Sequence, residues 1–194
     1  LLLNTHSRLL RDDWLARFLA AAAEPGVGIV GATGSWQSIM PDVRSAWPLV
    51  GWVAKNRGVV HGVAEAMQQY GMIATGRLHP RRRNYPPFPN PHLRSNALLL
   101  PATLLRDFAA ANGLPRTKQD AFRLESGRYG LTRFVLDRSL HARVAGADGR
   151  ATAPEAWDVS GTFRSPAQPN LLVADNQTRL YEGADLRAQS FLEL

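Results

Sequence analysis

Strand, turn, helix, strand is the order read from the first 31 residues, and it directs the chain to an α/β fold. Leu1-Leu2-Leu3 is an apolar strand and Asn4-Thr5-His6-Ser7 a polar turn. Asp12 or Asp13 can cap a helix at its positive end. Trp14, Leu15, Phe18, Leu19 and Ala22 then follow the i, i+3/i+4 spacing of a core-facing stripe. Pro25-Gly26 stops that helix, and Val27 to Val30 is a short apolar strand of the buried parallel type. Such a unit fits in about 30 residues. Ligands of open α/β sheets bind just beyond the carboxyl ends of the strands. Asn4, His6 and Ser7 therefore fall where this fold does its chemistry. The abrupt start at Leu1 gives the expectation that the strand is the middle of a longer protein.

The 194 residues make one domain, or one domain with an extension, and can bury roughly 70% of the unfolded surface. No apolar run approaches the ~18 residues of a membrane span. The absence of Cys excludes disulfides, thiolate metal sites and cysteine nucleophiles, and fits a reducing compartment. The net charge of +7 points to anionic partners: nucleic acid, phosphorylated small molecules or an acidic membrane surface. Arg-rich coding of basic positions explains the same excess without a partner.

Further along, Val53 to Tyr70 is expected to be helical, with Val60, Val63, Ala64 and Met67 on one side. Arg77 to Pro91 is a basic, Pro-rich loop, since its five prolines preclude a regular helix. His92 to Asn96 leads into the apolar run Ala97 to Leu100. Pro101 starts a helix to about Ala111, ended by Asn112-Gly113. Arg116 to Gly130 reads as a polar connection ahead of a helix from Leu131 to Ser139. His141 to Ala145 is a strand and Asp148-Gly149 a tight turn. In the tail, Leu171 to Val173 is strand-like and a helix is expected from Tyr181.

Several groups could carry chemistry, each with a plainer alternative. Asn4 and His6 can coordinate a divalent ion or grip phosphate oxygens, or they and Ser7 can simply satisfy a turn. Glu125, between Arg123 and Arg128 and directly before a helix, can act as a general base, or can cap that helix from the surface. Arg94, beside His92 and Asn96, adjoins a strand end. Arg81-Arg82-Arg83 with Tyr85 and Phe88 has the cations and aromatics of a nucleic-acid patch, or of a solvated loop. Gly26, Gly28 and Gly31 match G-x-G-x-x-G but overlap the strand, so the dinucleotide reading fails. Asp175-Asn176 and Glu182 are further possible metal ligands; Ser7 and Ser126 lack the motif context of nucleophiles.

Taken together, Leu1-Leu-Leu-Asn4-Thr-His6, Asp13-Trp14-Leu15 and Pro25-Gly-Val-Gly-Ile-Val-Gly31 resemble the middle of a GT-A-fold glycosyltransferase of glycosyltransferase family two. Ser95-Asn96-Ala97 resembles that family's small-residue segment, and Leu124-Glu125-Ser126 its acidic pair ahead of a helix. The resemblance covers about residues 1 to 146, with 147 to 194 an extension on the same domain. It implies a Rossmann-like three-layer sheet with helices on both faces, its nucleotide-binding half lying before Leu1. It also implies transfer of a sugar from a nucleoside-diphosphate sugar to a carbohydrate or lipid-linked acceptor, in cell-surface polysaccharide synthesis at the cytoplasmic face of the membrane. On this reading Glu125 is the base, Asn4 and His6 hold the donor diphosphate or a metal, and His92, Arg94, Asn96 and Arg128 bind substrate or phosphate. The family's D-x-D carboxylates, which hold Mg²⁺ or Mn²⁺, are replaced here by Asn4-Thr5-His6. Mg²⁺ prefers carboxylate and water oxygens, so the alternative is a non-catalytic domain that binds sugar nucleotides, and a further one is an Arg-rich nucleic-acid module.

Overall fold

The computed structural model describes residues 1–38, 50–51, 54–55, 58–75, 84–184 and 189. A mixed five-stranded sheet organises them. Its strands are β1 (Leu2–Leu3), β3 (Val27–Gly31), β6 (Ala97–Leu99), β7 (His141–Ala145) and β8 (Ala151–Thr152), in the order β1-β6-β3-β7-β8. β3 and β7 are parallel, while β6 runs antiparallel to both of its neighbours, β1 and β3. β1 therefore runs in the same direction as β3 and β7. Two small ribbons accompany the sheet: β2 (Arg8–Leu9) pairs β9 (Val173–Ala174), and β4 (Gly34–Ser35) pairs β5 (His92–Leu93). The architecture is α/β and compatible with a Rossmann-like fold.

Strand alternation sends side chains to two separate cores. On one face Val30, Ala97 and Ala145 meet Phe18 and Ala21 of helix α1 (Trp14–Ala22), together with Leu172 and Val173. On the other, Ile29, Leu98, Ala142 and Val144 pack against α3 (Ala102–Asn112) and α5 (Leu131–Leu136). Phe108 and Phe134 meet edge-on at 5.2 Å, the favoured arrangement for two ring quadrupoles. Helices thus cover both faces of the sheet, as expected. The residues beyond 146 are integral to it, since Leu172 and Val173 are fully buried in the α1 core.

Local chemistry explains the boundaries. Asp13 stands at the N-cap of α1, but its carboxylate does not cap the helix. It holds Arg11 at 2.9 Å and Arg17 at 2.8 Å instead. Those two guanidiniums pull its carboxyl down to about 2. Pro101 precedes α3 and Gly113, at φ +75°, follows it, as its sequence predicts. The turn at Asp148-Gly149 joins β7 to β8 with Gly149 at φ +84°.

Three expectations need correction. Arg116 to Gly130 is not a plain connection: it contains α4 (Lys118–Ser126), opened by a capping box in which Thr117 Oγ1 accepts from Asp120 N–H and the Asp120 carboxylate accepts from Thr117 N–H. Hydrogen bonds from Arg123 and Thr117 hold the Asp120 carboxyl down at about 2. The helix expected from Tyr181 begins earlier, as α6 (Asn176–Glu182), because Asp175 and Thr178 form a second such box. Helix α2 runs from Val59 to Thr75 rather than to Tyr70, and its start at Val53 lies outside the described residues. Val60, Val63 and Met67 of α2 are exposed, so that stripe does not face the core.

Candidate functional site

Beyond β3 the chain continues into β4, and β5 leads into β6, so two strands pair twice with a break between. At the break Ala32 N–H donates to the Ala97 carbonyl and Arg94 N–H to the Thr33 carbonyl. Regular pairing is lost through Ser95 and Asn96, whose backbone groups need other partners. Side chains supply them. Glu125 Oε2 accepts from Ser95 N–H at 3.0 Å, and Ser7 Oγ donates to the Asn96 carbonyl. The Asn96 side chain, fully buried, accepts from Thr33 Oγ1 at 2.8 Å and donates to the Val173 carbonyl at 2.7 Å. This interruption lies at the carboxyl ends of β1 and β3, where a sheet of this kind presents its ligand site.

The sequence-predicted residues divide between the fold and the site. Asn4 Oδ1 accepts from His6 N–H at 2.8 Å, and Asn4 N–H donates to Ser7 Oγ at 3.0 Å, so Asn4 closes its own turn. His6 is exposed on that turn. Among the described residues no group of three His, Asp or Glu side chains gathers to hold a metal, and this extends to Asp175 and Glu182. Asn4 and His6, the one oxygen engaged and the one imidazole alone, do not fit a divalent ion. Arg128 is exposed, and its N–H donates to the Asn84 carbonyl. Arg81, Arg82 and Arg83 lie outside the described residues.

Arg94 is mostly buried. Its Nη2 donates to Asp175 Oδ2 at 2.8 Å, its guanidinium lies 4.2 Å from the centre of the Phe163 ring, and its Nη1 is buried with no hydrogen-bond partner among the described residues. Arg164 stacks on the same ring at 4.9 Å. Burial, followed by the charge of Arg94, pulls the Arg164 guanidinium down to about 10, so it stays charged at neutral pH. Thr33, Asp175, Phe163 and Arg164 are the site residues that sequence reasoning did not place there. Only Asp175 carried a local signal, as the first residue of an Asp-x-x-Thr cap.

Glu125 requires a positional correction. It lies in the last turn of α4, ahead of α5 but not at that helix's N-terminus, and Arg123 pairs with Asp120 rather than with it. The end of α4 carries its carboxylate to the strand break. Oε2 is fixed by Ser95, while Oε1 has no hydrogen bond among the described residues. Next to it His92 is buried, with Nδ1 2.8 Å from the Asn90 carbonyl.

Comparison with family models, with curated proteins and with solved structures returned no match. What the site can do rests on its geometry: a fixed carboxylate with one oxygen available at a polar strand break, and two arginines stacked on Phe163.

Two tests follow from the fold-holding members. Asn96→Ala leaves Thr33 Oγ1 and the Val173 carbonyl buried without their partner. It is expected to destabilise by about 1–3 kcal/mol in a urea titration; no shift in midpoint would mean that the break tolerates their loss. Burial lowers the His92 imidazole from its usual range, against the opposing pull of the Asn90 carbonyl and Glu125, and Arg94 lowers it further. The unfolded chain therefore binds the proton first. Stability is complete above about pH 6.5, the ordinary imidazole value, and declines as pH falls from there toward the depressed native value. Unfolding midpoints at pH 7.5 and 5.5 check this, and His92→Asn should flatten the difference between them.

Proposed function

We propose that this domain transfers a sugar from a nucleoside-diphosphate sugar to an acceptor hydroxyl, in the manner of a GT-A-fold enzyme. The observation that carries the reading is the Glu125 carboxylate, anchored through Oε2 at the carboxyl end of the sheet with Oε1 left to accept a proton. A general base must lie within hydrogen-bond reach of the proton it takes. In the step proposed, the acceptor hydroxyl gives its proton to Oε1 while its oxygen bonds to the anomeric carbon. The bond from that carbon to the diphosphate breaks, and the nucleoside diphosphate leaves with the electron pair. The buried Nη1 of Arg94, unpartnered among the described residues and next in sequence to Ser95, is the donor offered to the charge that develops on it. No part of this step passes through a metal ion, which Asn4 and His6 do not fit.

The acceptor is a carbohydrate or a lipid-linked sugar. No helix among the described residues is long and apolar enough to cross a membrane. The closing of the Asn4 turn on itself favours a second reading, a domain that binds sugar nucleotides without turning them over.

The test is to incubate the protein with a panel of nucleoside-diphosphate sugars and acceptor sugars, with and without Mn²⁺. Thermal shift reads binding, and nucleoside diphosphate release reads turnover. Metal-independent release with acceptor consumed supports transfer. Binding without release supports the second reading, and neither binding nor release overturns both.

A further inference from the structure

Beside Phe163 and Arg164 is a pocket of about 420 Å³, within the ~300–1,000 Å³ range of small-ligand sites. We propose that this pocket, walled by Trp36, Phe88, Phe163, Arg164 and Ser165, binds a sugar that carries a negative charge, a carboxylate or a phosphate. The proposal names the acceptor class of the transfer reading and rests on it to that extent. Binding itself can be read without turnover.

Sequence and packing make the aromatic wall rigid. Trp36 follows β4 directly, and its indole N–H donates to the Pro154 carbonyl at 2.8 Å. Trp157 lines the same pocket, with its own N–H on the Thr152 carbonyl at 3.0 Å. Gly34 permits this arrangement, because a Cβ there would fall 2.3 Å from the Trp157 ring. Both indoles have their single donor satisfied by the protein, so the faces offered to the pocket are purely apolar. Phe88 is half exposed and Phe163 partly buried. The C–H bonds on one face of a pyranose carry the partial positive charge that meets the negative face of an aromatic ring. A flat aromatic wall therefore suits a sugar ring without demanding a polar partner of its own.

The polar side of the pocket is built by a strained loop. Arg164, Ala167 and Gln168 have φ values of 49°, 56° and 40°, left-handed backbone that residues other than glycine rarely adopt. Gln168 holds the loop in that shape, with Nε2 donating to the Thr178 carbonyl at 2.9 Å and N–H to the Ser165 carbonyl at 3.0 Å. Strain of this sort persists where the surrounding structure enforces it, and it collects at ligand sites. Its effect here is to bring a largely desolvated guanidinium and the Ser165 hydroxyl to the same wall. Ser165 Oγ is buried with no hydrogen-bond partner among the described residues. A cation and an unused hydroxyl side by side suit an anionic oxygen group. Asp158 and Gln37, both exposed at the rim, are placed to take sugar hydroxyls.

The test follows tryptophan fluorescence and calorimetry with five probes: glucose, glucuronate, glucose 1-phosphate, inorganic phosphate and uridine monophosphate. Glucuronate and glucose 1-phosphate are expected to bind at least about tenfold tighter than glucose, as one charge-assisted contact allows. Whichever of the two is tighter identifies the anion as carboxylate or phosphate. Arg164→Gln should abolish the preference over glucose, Arg164→Lys should retain part of it, and Trp36→Ala should weaken all sugars. Gln and Lys adopt the positive φ at 164 no less readily than Arg, so the loop is not the variable. Equal affinity for glucose, or preference that survives Arg164→Gln, overturns the proposal, as does the absence of binding by any sugar. Tighter binding of uridine monophosphate than of glucose 1-phosphate would make this a nucleotide pocket instead, and tightest binding of inorganic phosphate would remove the sugar. Unchanged sugar binding in Glu125→Gln that also lacks turnover keeps this result separate from that of the transfer reading.

Discussion

Asp175→Ala is expected to destabilise the protein by about 3–5 kcal/mol, the range for removing one partner of a buried ion pair. The Asp175 side chain is 3% exposed and that of Arg94 11%, so the guanidinium left behind has little water to replace the lost carboxylate. Its Nη1 already lacks a hydrogen-bond partner among the described residues. The same substitution removes the cap of α6, because Asp175 Oδ1 accepts from the N–H groups of Gln177 and Thr178. A cap contributes about 1 kcal/mol. Asp175→Asn separates the two contributions, since its amide oxygen can still cap while the charge is gone, and it should fall between Ala and the native protein. Guanidinium unfolding measures all three. A loss below about 1 kcal/mol for Asp175→Ala would mean that Arg94 relaxes to solvent when released, in place of remaining buried and uncompensated.

The second large effect concerns the transfer rate. Glu125→Gln should lower it by about 100- to 10,000-fold, the contribution of a positioned general base. The substitution is close to isosteric, and the Gln carbonyl oxygen can still accept from Ser95 N–H, so the strand break and the stability should remain. Donor affinity should also be unchanged, which places the loss in turnover rather than binding. Glu125→Asp, one methylene shorter, should recover little, because it cannot hold Ser95 and reach the acceptor together. Stopped assays of nucleoside diphosphate release under saturating donor test this, and a Gln variant with native turnover removes Glu125 from the chemistry.

The first 31 residues disclosed much of their structure because most signals there are local. Trp14, Phe18 and Ala22 of the expected α1 stripe reach the core with Ala21 beside them, while Leu15 and Leu19 are exposed; Pro25-Gly26 ends the helix, and β3 is apolar throughout. Pro101 and Gly113 punctuated α3 for the same reason. α4 escaped notice because it is polar nearly all round, and its start rests on the Thr117–Asp120 box, not on hydrophobic spacing. α6 was placed late because Asp175 read as a possible ligand and not as a cap. Glu125 was legible as a residue, but its position was not. Its partner, Ser95, is 30 residues away and is bonded only because a ladder is interrupted there. Arg94 and Asp175, 81 residues apart, form a pair that no spacing rule anticipates. The aromatic pocket gathers Trp36, Phe88 and Phe163 from three separate segments, and only tertiary packing brings them together.

The pairing of β2 with β9 sets Arg8 against Ala174 and Leu9 against Val173. During synthesis the N-terminal strand–helix–strand unit emerges early, while Leu172 and Val173, which complete the α1 core, emerge among the last of the described elements. Contacts between such distant positions slow folding, because loop closure comes before any reward. A nascent chain would therefore carry Phe18 and its neighbours with one side open until Leu172 and Val173 emerge, at roughly 5–20 residues per second. Chaperone demand should then concentrate on α1, and arrest of the chain before residue 172 should leave it bound to a holdase rather than folded.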